Sequence, residues 1–393
     1  MSSGPTDSLK ERAASAVDAL SDRLVAISHE IHAHPELGFE EELASHLCAD
    51  ELADAGFDVD FGVGGLETAF SASIGTGNPQ IGICCEYDAL PGVGHACGHN
   101  VIAAAGVGAG VALAQVADEL GIAVRVLGTP AEEGGGGKIK MLAAGAFDGL
   151  GAAMMVHPAP SELVQMPVRA VSHLIVRYHG KEAHASGFPE LGINAADALT
   201  IAQVGVGLLR QHAKHDDQVH GIVTYGGAAP NIIPGLTEAS YYIRSRSLEG
   251  LKEWEPRVRA CFEAGALGTG ATVEFFPGGP TYSEFRTDDA IAERYRLNAV
   301  ALGRKFAADL SHALVASTDM ANVSLALPAI HPTLDVGAKG AVNHQPEFAA
   351  YCVTPSADKA LLDGAKAMAW TVIDLATDDA ERRRLTAASY QRG

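Results

Sequence analysis

From Val101 to Ala114 every residue is Val, Ile, Leu, Ala or Gly. A stretch that is apolar on all sides is a helix covered on all sides, so whatever this chain folds into must enclose it. A short apolar run, Ile81 to Cys85, comes before it, and the loop between reads Glu86-Tyr-Asp-Ala-Leu-Pro-Gly-Val-Gly-His-Ala-Cys-Gly-His-Asn100. This loop joins a strand to a buried helix, the position at which open α/β sheets place their chemistry. Within it Cys97 and His99 stand two residues apart among glycines, with the carboxylate of Asp88 upstream. A soft and a borderline ligand so close together point to a metal.

The flanking sequence alternates. Val17, Leu20, Leu24, Ile27 and Ile31 recur at steps of three and four, which predicts one amphipathic helix ending near Pro35. A second helix is expected over 40–55 and strands over 68–74 and 81–85. The buried helix should run to about Leu120, followed by a strand over 123–129, a short helix from about Lys138 and a strand over 152–156. This βαβαβ order implies an α/β fold with a mostly parallel sheet and helices on both faces. Asp88 to His99, Glu132-Glu133 and His157 each follow a strand, so they should gather at one sheet edge.

After Met166-Pro167 the pattern changes to strand, helix, two strands, helix and strand, an α+β unit of βαββαβ type with its own small core. Residues 170–282 are therefore expected to form an inserted domain. Residues 1–169 and 283–393 would make up the discontinuous metal-binding domain, with Pro277-Gly-Gly-Pro280 as the return hinge. The last long helix, over 356–375, should bury Leu361, Leu362, Ala365, Met368, Ala369 and Val372.

Composition removes whole classes of function. With 28 basic and 48 acidic residues the net charge is −20, which repels phosphate backbones and anionic bilayers. Nucleic acid and membrane are thus not expected partners. Met1 to Arg12 is polar and has no secretory pattern, so a cytoplasmic protein is expected. The six cysteines show no disulfide spacing, and all but Cys97 are expected to be reduced, buried thiols.

Glu132-Glu133 ends a strand and opens into four glycines. Adjacent carboxylates can divide labour, one ligating a metal while the other acts as general base. A phosphate loop is rejected for Gly-Gly-Gly-Gly-Lys138, because Glu132 stands where the earlier glycine is needed and Ile139 where Ser or Thr is needed. His29, Glu30, His32 and His34 fail the spacing of a zinc helix and are expected to be structural or to support a ligand from behind. His157, before Pro158, and His344, in Asn-His-Gln-Pro, are ambiguous singly. With Cys97, His99 and Glu133 they make five donors suited to two Zn²⁺ or Mn²⁺ ions.

Asp88-Ala-Leu-Pro, His95-Ala-Cys-Gly-His99, Thr129-Pro-Ala-Glu-Glu-Gly134, Val156-His-Pro, Gly180-Lys-Glu-Ala-His-Ala185, Pro230-Asn-Ile-Ile-Pro234 and the late His344 occur in one order across nearly the whole chain. That order resembles the two-metal amidohydrolases, which include aminoacylases, carboxypeptidase G and indole-acetyl-amino-acid hydrolases. Cys-Gly-His-Asn100, Ser317-Thr-Asp-Met-Ala-Asn-Val-Ser324 and Ile330-His-Pro332 look most like the p-aminobenzoyl-glutamate hydrolase and β-alanyl-lysine dipeptidase branch.

The resemblance implies a metal-dependent hydrolase of the amide or peptide bond in small N-acyl amino acids or dipeptides. It also implies two divalent ions per subunit and a homodimer formed through the inserted lid domain. Carried over, Cys97 would bridge the ions, with His99 and His157 on one and Glu133 and His344 on the other, the division between ions left open. Asp88 would orient a ligating histidine, and Glu132 would deprotonate the attacking water. His184, from the lid, would stabilise the oxyanion, while Asn231 and Arg244 would hold the substrate's carbonyl or carboxylate, with Arg246 competing for the role of Arg244. Asp319 is expected near the metals or in the substrate wall, and His95 is expected to be structural. Asn100 stands where many relatives carry Asp, which would remove a negative charge near the metals. The alternative function is a metal-binding or scaffold homologue that keeps the fold without catalysis.

Overall fold

A computed structural model describes residues 5–307 and 315–391. The described residues divide into two compact units, Val168–Glu284 and the segments on either side of it.

The larger unit begins with helices α1 (Pro5–Ala19), α2 (Ser21–Ala33) and α3 (Glu42–Asp54). The single helix expected up to Pro35 is thus two, because Leu20 leaves helical geometry at φ −105°, ψ 10°. The apolar seam crosses the break, and Val17, Leu24, Ile27 and Ile31 are buried on both sides of it. Strands β1 (Asp58–Phe61), β2 (Phe70–Ile74) and β3 (Gln80–Cys85) lead to α4 (His99–Ala114), and a break then separates α5 (Ala117–Leu120) from it. Next come β4 (Ala123–Gly128), α6 (Gly137–Ala143), β5 (Leu150–Met154) and β6 (His157–Ala159). His157 therefore opens a short strand of its own.

The smaller unit holds β7 (Ala170–His179), α7 (Ala195–Leu209), β8 (Gln218–Tyr225), β9 (Leu236–Ser245), α8 (Leu248–Thr269) and β10 (Thr272–Pro277). Its sheet runs β10-β7-β9-β8, antiparallel throughout. Leu174, Val176, Leu199, Val258 and Phe262 bury one face under α7 and α8. The larger unit resumes with α9 (Asp289–Ala301), α10 (Met320–Ala326), β11 (Ala329–Ile330), β12 (Thr333–Asp335), α11 (Pro346–Tyr351), α12 (Pro355–Thr377) and α13 (Asp379–Ala387). In α12 Leu361, Ala365, Met368, Ala369 and Val372 are buried, whereas Leu362 is half-buried and packs on the rim of the core.

The larger sheet has the order β1-β2-β4-β3-β5-β11. β4, β3, β5 and β11 run parallel, while β1 and β2 join antiparallel at one edge. Side chains alternate between faces, as pleating requires: Ile81, Ile83 and Cys85 enter the core built with α4, and Cys84 enters a second core with Met141, Phe147 and Met320. Every residue of α4 from His99 to Leu113 is buried. Cys85 pairs with Gly128, Ile83 with Met154, and Met154 with Ile330, so four strand ends are in register. The loops leaving these strands therefore emerge along one edge. No described helix is long and apolar enough to cross a membrane.

The glycines of α4 permit its close approach to β3. A Cβ at Gly106 would stand 2.4 Å from Cys85 Sγ and 3.3 Å from the Cys84 carbonyl oxygen. Glycine to alanine in a helix interior normally stabilises by up to about 1 kcal/mol, but overpacking a filled core costs about 1–3 kcal/mol. Gly106→Ala is expected to be less stable than the parent, by about 1–2 kcal/mol in urea denaturation. A gain in stability would show that the helix and β3 are not in this contact.

Candidate metal centre

The register of the parallel strands brings the candidates of the larger unit together. Asp88 follows β3, Glu132 and Glu133 follow β4, His157 lies just beyond β5, and His99 is the first residue of α4. Three groups of donors lie close enough to share an ion: Cys97 with His99 and His157, Cys97 with Glu133 and His344, and His99 with Glu132 and Glu133. Cys97 Sγ is 3.5 Å from His157 Nε2 and 3.7 Å from His344 Nε2. His344 Nε2 is 3.5 Å from Glu133 Oε1.

The tautomers follow from the hydrogen bonds. Asp88 Oδ1 accepts from His99 Nδ1 at 3.0 Å, which turns Nε2 toward Glu133 Oε1 at 3.9 Å and Glu132 Oε2 at 4.0 Å. His157 Nδ1 donates to the Pro158 carbonyl at 2.8 Å, which leaves Nε2 as the lone-pair nitrogen facing Cys97. Asp88 is also the acceptor for the Glu133 backbone N–H at 2.9 Å, so one carboxylate orients a histidine and the acidic loop together.

The electrostatics are those of a site short of positive charge. Burial pushes the Glu132 carboxyl well up, and repulsion from Glu86 and Glu133 adds to it; burial also raises Glu133, against the pull of His99 and His344. Burial, helped by Glu133, drives the Cys97 thiol well up. Burial lowers His157 to about 4, with repulsion from His99. For His99 burial acts downward, but the charge and hydrogen bond of Asp88 outweigh it and hold the imidazole well above its usual value. His99 Nε2 and Glu133 Oε1 are buried without a hydrogen-bond partner. Unpartnered lone pairs, a thiol and clustered carboxyls are what divalent cations satisfy, and the residues fit such ions.

In the smaller unit His184 and Asn231 are neighbours: His184 bridges to Ile232, and the Ala185 N–H donates to the Asn231 carbonyl at 3.0 Å. The backbone N–H groups of Ser186 and Gly187 donate to His184 Nδ1 at 3.3 and 3.0 Å, which puts the ring proton on Nε2. Arg244 lies on β9 with its Nε 3.4 Å from His220 Nε2.

Two expectations change, at Asn100 and at Cys97. The amide of Asn100 donates to Ser28 Oγ at 2.8 Å and to the Cys352 carbonyl at 3.0 Å, so this side chain serves helix packing and an acid there would not face the donors. Cys97 is buried like most other cysteines, and Cys261 is the half-buried one. The histidines of α2 are structural: His29 pairs with Asp358 and His32 with the Ala349 carbonyl. Asp319 is fully buried and bonded to Lys138, through its backbone N–H at 2.8 Å and Nζ at 2.9 Å. In the sequence Lys138 stands out only as the end of a failed phosphate loop. Glu41 does not stand out at all, yet its buried carboxylate accepts from Ala131 N–H and Thr68 Oγ1, each at 2.8 Å. The order Glu-Glu-Leu-Ala at 41–44 reads as an ordinary helix start, which hides it.

The model of peptidase family M20/M25/M40 matches residues 83–373. The chain belongs to that family. It is 38% identical over 386 residues to a Xaa-Arg dipeptidase of Mus musculus, covering 93% of this chain and 89% of that protein. It is 35% identical over 280 residues to a subunit of the p-aminobenzoyl-glutamate hydrolase of Escherichia coli, covering 66% of this chain and 58% of that one. In fold it resembles a dinuclear metal binding peptidase of the M20 family from Bacillus subtilis, with a TM-score of 0.67, 24% identity and coverage of 91% and 99%. The chain is thus a hydrolase of the peptidase and amidohydrolase kind, in the branch that its motifs resemble.

Glu41 gives a pH test. Burial, with repulsion from Asp88, raises its carboxyl from 4.5 to about 7. The folded state therefore holds the proton more tightly than the unfolded one, and the charged form is penalised. That penalty is absent below about 4.5 and complete above about 7, where it is on the order of 3 kcal/mol. Glu41→Gln keeps an acceptor for Ala131 and removes the charge. The metal-free variant is expected to exceed the parent in stability at pH 8, the gain shrinking as pH falls through 7 and vanishing near 4.5. Urea midpoints across pH check this, and an equal difference at pH 5 and pH 8 would refute it.

Proposed function

We propose that this family member hydrolyses the amide or peptide bond of a dipeptide or small N-acyl amino acid, using two divalent ions, Zn²⁺ or Mn²⁺, held by Cys97, His99, Glu133, His157 and His344. The observation that carries the proposal is that Cys97 belongs to two donor groups at once, one with His99 and His157 and the other with Glu133 and His344. One donor common to two groups is the arrangement of a thiolate between two ions. Such ions would polarise the scissile carbonyl and lower the pKa of an attacking water.

The chain's own residues divide the remaining work. Glu132 is the general base: it is buried, pushed toward the protonated form by burial and its acidic neighbours, and its Oε2 lies 4.0 Å from His99 Nε2. It takes the proton of the attacking water and passes it to the leaving amine. Asp88 keeps His99 in the tautomer that presents Nε2.

In the other unit His184 serves as oxyanion donor, a role supported by the two backbone N–H groups that leave its proton on Nε2. Asn231 and Arg244 bind the substrate's carbonyl and carboxylate, the guanidinium in bidentate fashion. The 170–282 region is proposed as the lid and dimerisation domain. Its edge strand β8 leaves Ile222, Val223 and Tyr225 exposed, which supports a homodimer formed there. Six cysteines without a disulfide support a reducing, cytoplasmic location.

Xaa-Arg dipeptides are the first substrates to try, given the similarity over 93% of the chain. Protein reloaded with Zn²⁺ or Mn²⁺ is expected to hydrolyse members of a panel of dipeptides, N-acyl amino acids and aryl-glutamates, and chelation should abolish turnover reversibly. Glu132→Gln should keep both ions while kcat falls roughly 10²- to 10⁴-fold. A metal-loaded protein inactive on the whole panel sinks the proposal, and unchanged kcat in the variant sinks the base assignment.

A further inference from the structure

Glu86, the last residue before the metal loop proper, is neither one of the five proposed ligands nor the base. Its side chain is fully buried, as are those of Lys138 and Asp319. Lys138 Nζ pairs with Glu86 Oε1 and, at 2.9 Å, with Asp319 Oδ1, so one ammonium is gripped by two carboxylates. Neither oxygen of Glu86 makes a hydrogen bond, but Oε1 is in ion-pair contact with the ammonium, whereas Oε2 lies 3.7 Å from His99 Nε2, a nitrogen that also lacks a hydrogen-bond partner.

Three carboxylate oxygens thus converge on a single imidazole nitrogen, His99 Nε2: Glu86 Oε2 at 3.7 Å, Glu133 Oε1 at 3.9 Å and Glu132 Oε2 at 4.0 Å. Glu86 is the nearest of the three. A carboxylate needed only to pair Lys138 would have its second oxygen satisfied by a local donor, because an unpaired buried oxygen is costly.

We infer that Glu86 is a further oxygen donor of the metal centre, acting on the ion that His99 holds, and that the buried Lys138–Asp319 pair is the anchor that keeps Oε2 aimed at it. This rests on the proposed two-ion site. It adds a hard donor beside His99, whose Nε2 already has Glu133 Oε1 and Glu132 Oε2 within 4.0 Å. It also leaves Glu132 available as a base, since Glu86 would supply a carboxylate to the ion at His99.

The test is metal binding by the full chain. Purified parent, Glu86→Gln and Glu86→Asp are stripped, titrated with Mn²⁺ and separately with Zn²⁺ against a competing chelator, and their bound metal is counted by mass spectrometry. Glu86→Gln keeps an oxygen opposite Lys138 and removes the charge. Glu86→Asp keeps the charge but is too short to reach both Lys138 and the ion.

The parent is expected to hold two ions. In both variants one of the two should weaken by at least about tenfold, Mn²⁺ more than Zn²⁺, while the other ion is retained. Thermal melting of the stripped proteins guards against misfolding, and Glu86→Asp decides the matter if Glu86→Gln does not fold. Two ions bound at parental affinity in a folded variant would overturn the inference. A parent that binds no ion would instead overturn the two-ion reading itself.

Discussion

Carboxylates buried along the carboxyl edge of a parallel sheet are the constraint on which this structure depends. Glu86, Asp88, Glu132 and Asp319 are each at most 6% exposed, with Glu133 beside them and Lys138 as the ammonium among them. One ammonium and the His99 imidazole that Asp88 holds protonated do not neutralise five carboxylates, and burial makes every uncompensated charge expensive. A chain that needed only a stable sheet edge would do better with apolar side chains of the same volume. The acidic edge therefore has to be understood with cations in place. The register of β4, β3, β5 and β11, and the fully buried helix α4 packed on them, are what hold so many acids at fixed positions.

Two of the four described non-glycine residues with positive φ lie at the same edge. Ala131 sits at φ 57° and His344 at φ 71°, in the left-handed region where non-glycine residues cost about 1–3 kcal/mol. Ala131 precedes Glu132, and its N–H is held by the Glu41 carboxylate. There is no room for a side chain opposite, since a Cβ at Gly38 would stand 2.8 Å from that of Ala131. His344 is held by its own N–H, which donates to the Ala96 carbonyl one residue before Cys97. Both residues are thus tied to a segment that carries a candidate donor, which helps fix how those donors face one another.

Much of this is legible in the sequence because it is local. The alternation of apolar runs is enough to order the strands and helices, and polar residues placed just after strands must share an edge once the strands are parallel. That logic reaches Cys97, His99, Glu132, Glu133 and His157, which the structure brings together. It does not reach Glu86, Lys138 and Asp319, whose pairing joins the end of β3, the glycine loop and the start of α10 across 52 and 181 residues of sequence. Lys138 resembles half of a phosphate loop, and Asp319 is one acid in a polar stretch. Asn100 misleads for the opposite reason. Its neighbours in sequence are donors, but on a helix adjacent residues face different ways, and its amide turns to Ser28. The break at Leu20 is invisible to a periodicity that continues through it.

The two groups that share Cys97 differ in what they cost to assemble. Cys97, His99 and His157 are all buried, and their ring orientations are already fixed by Asp88 and by the Pro158 carbonyl, so an ion there finds its donors in place. The other group includes His344, whose side chain is 59% exposed on the loop before α11. That loop is anchored near the site by the His344 N–H on Ala96 and by the Asn343 amide on the Pro158 carbonyl at 3.1 Å. An ion held by Cys97, Glu133 and His344 would tie this loop to the β4 loop and the loop before α4. Its binding free energy would then become stability of the local structure, growing as the logarithm of the free ion concentration over its dissociation constant. The exposed histidine is the donor whose ordering would cost most, because it has the most freedom to lose, so this group would gain less net stability per ion than the buried one.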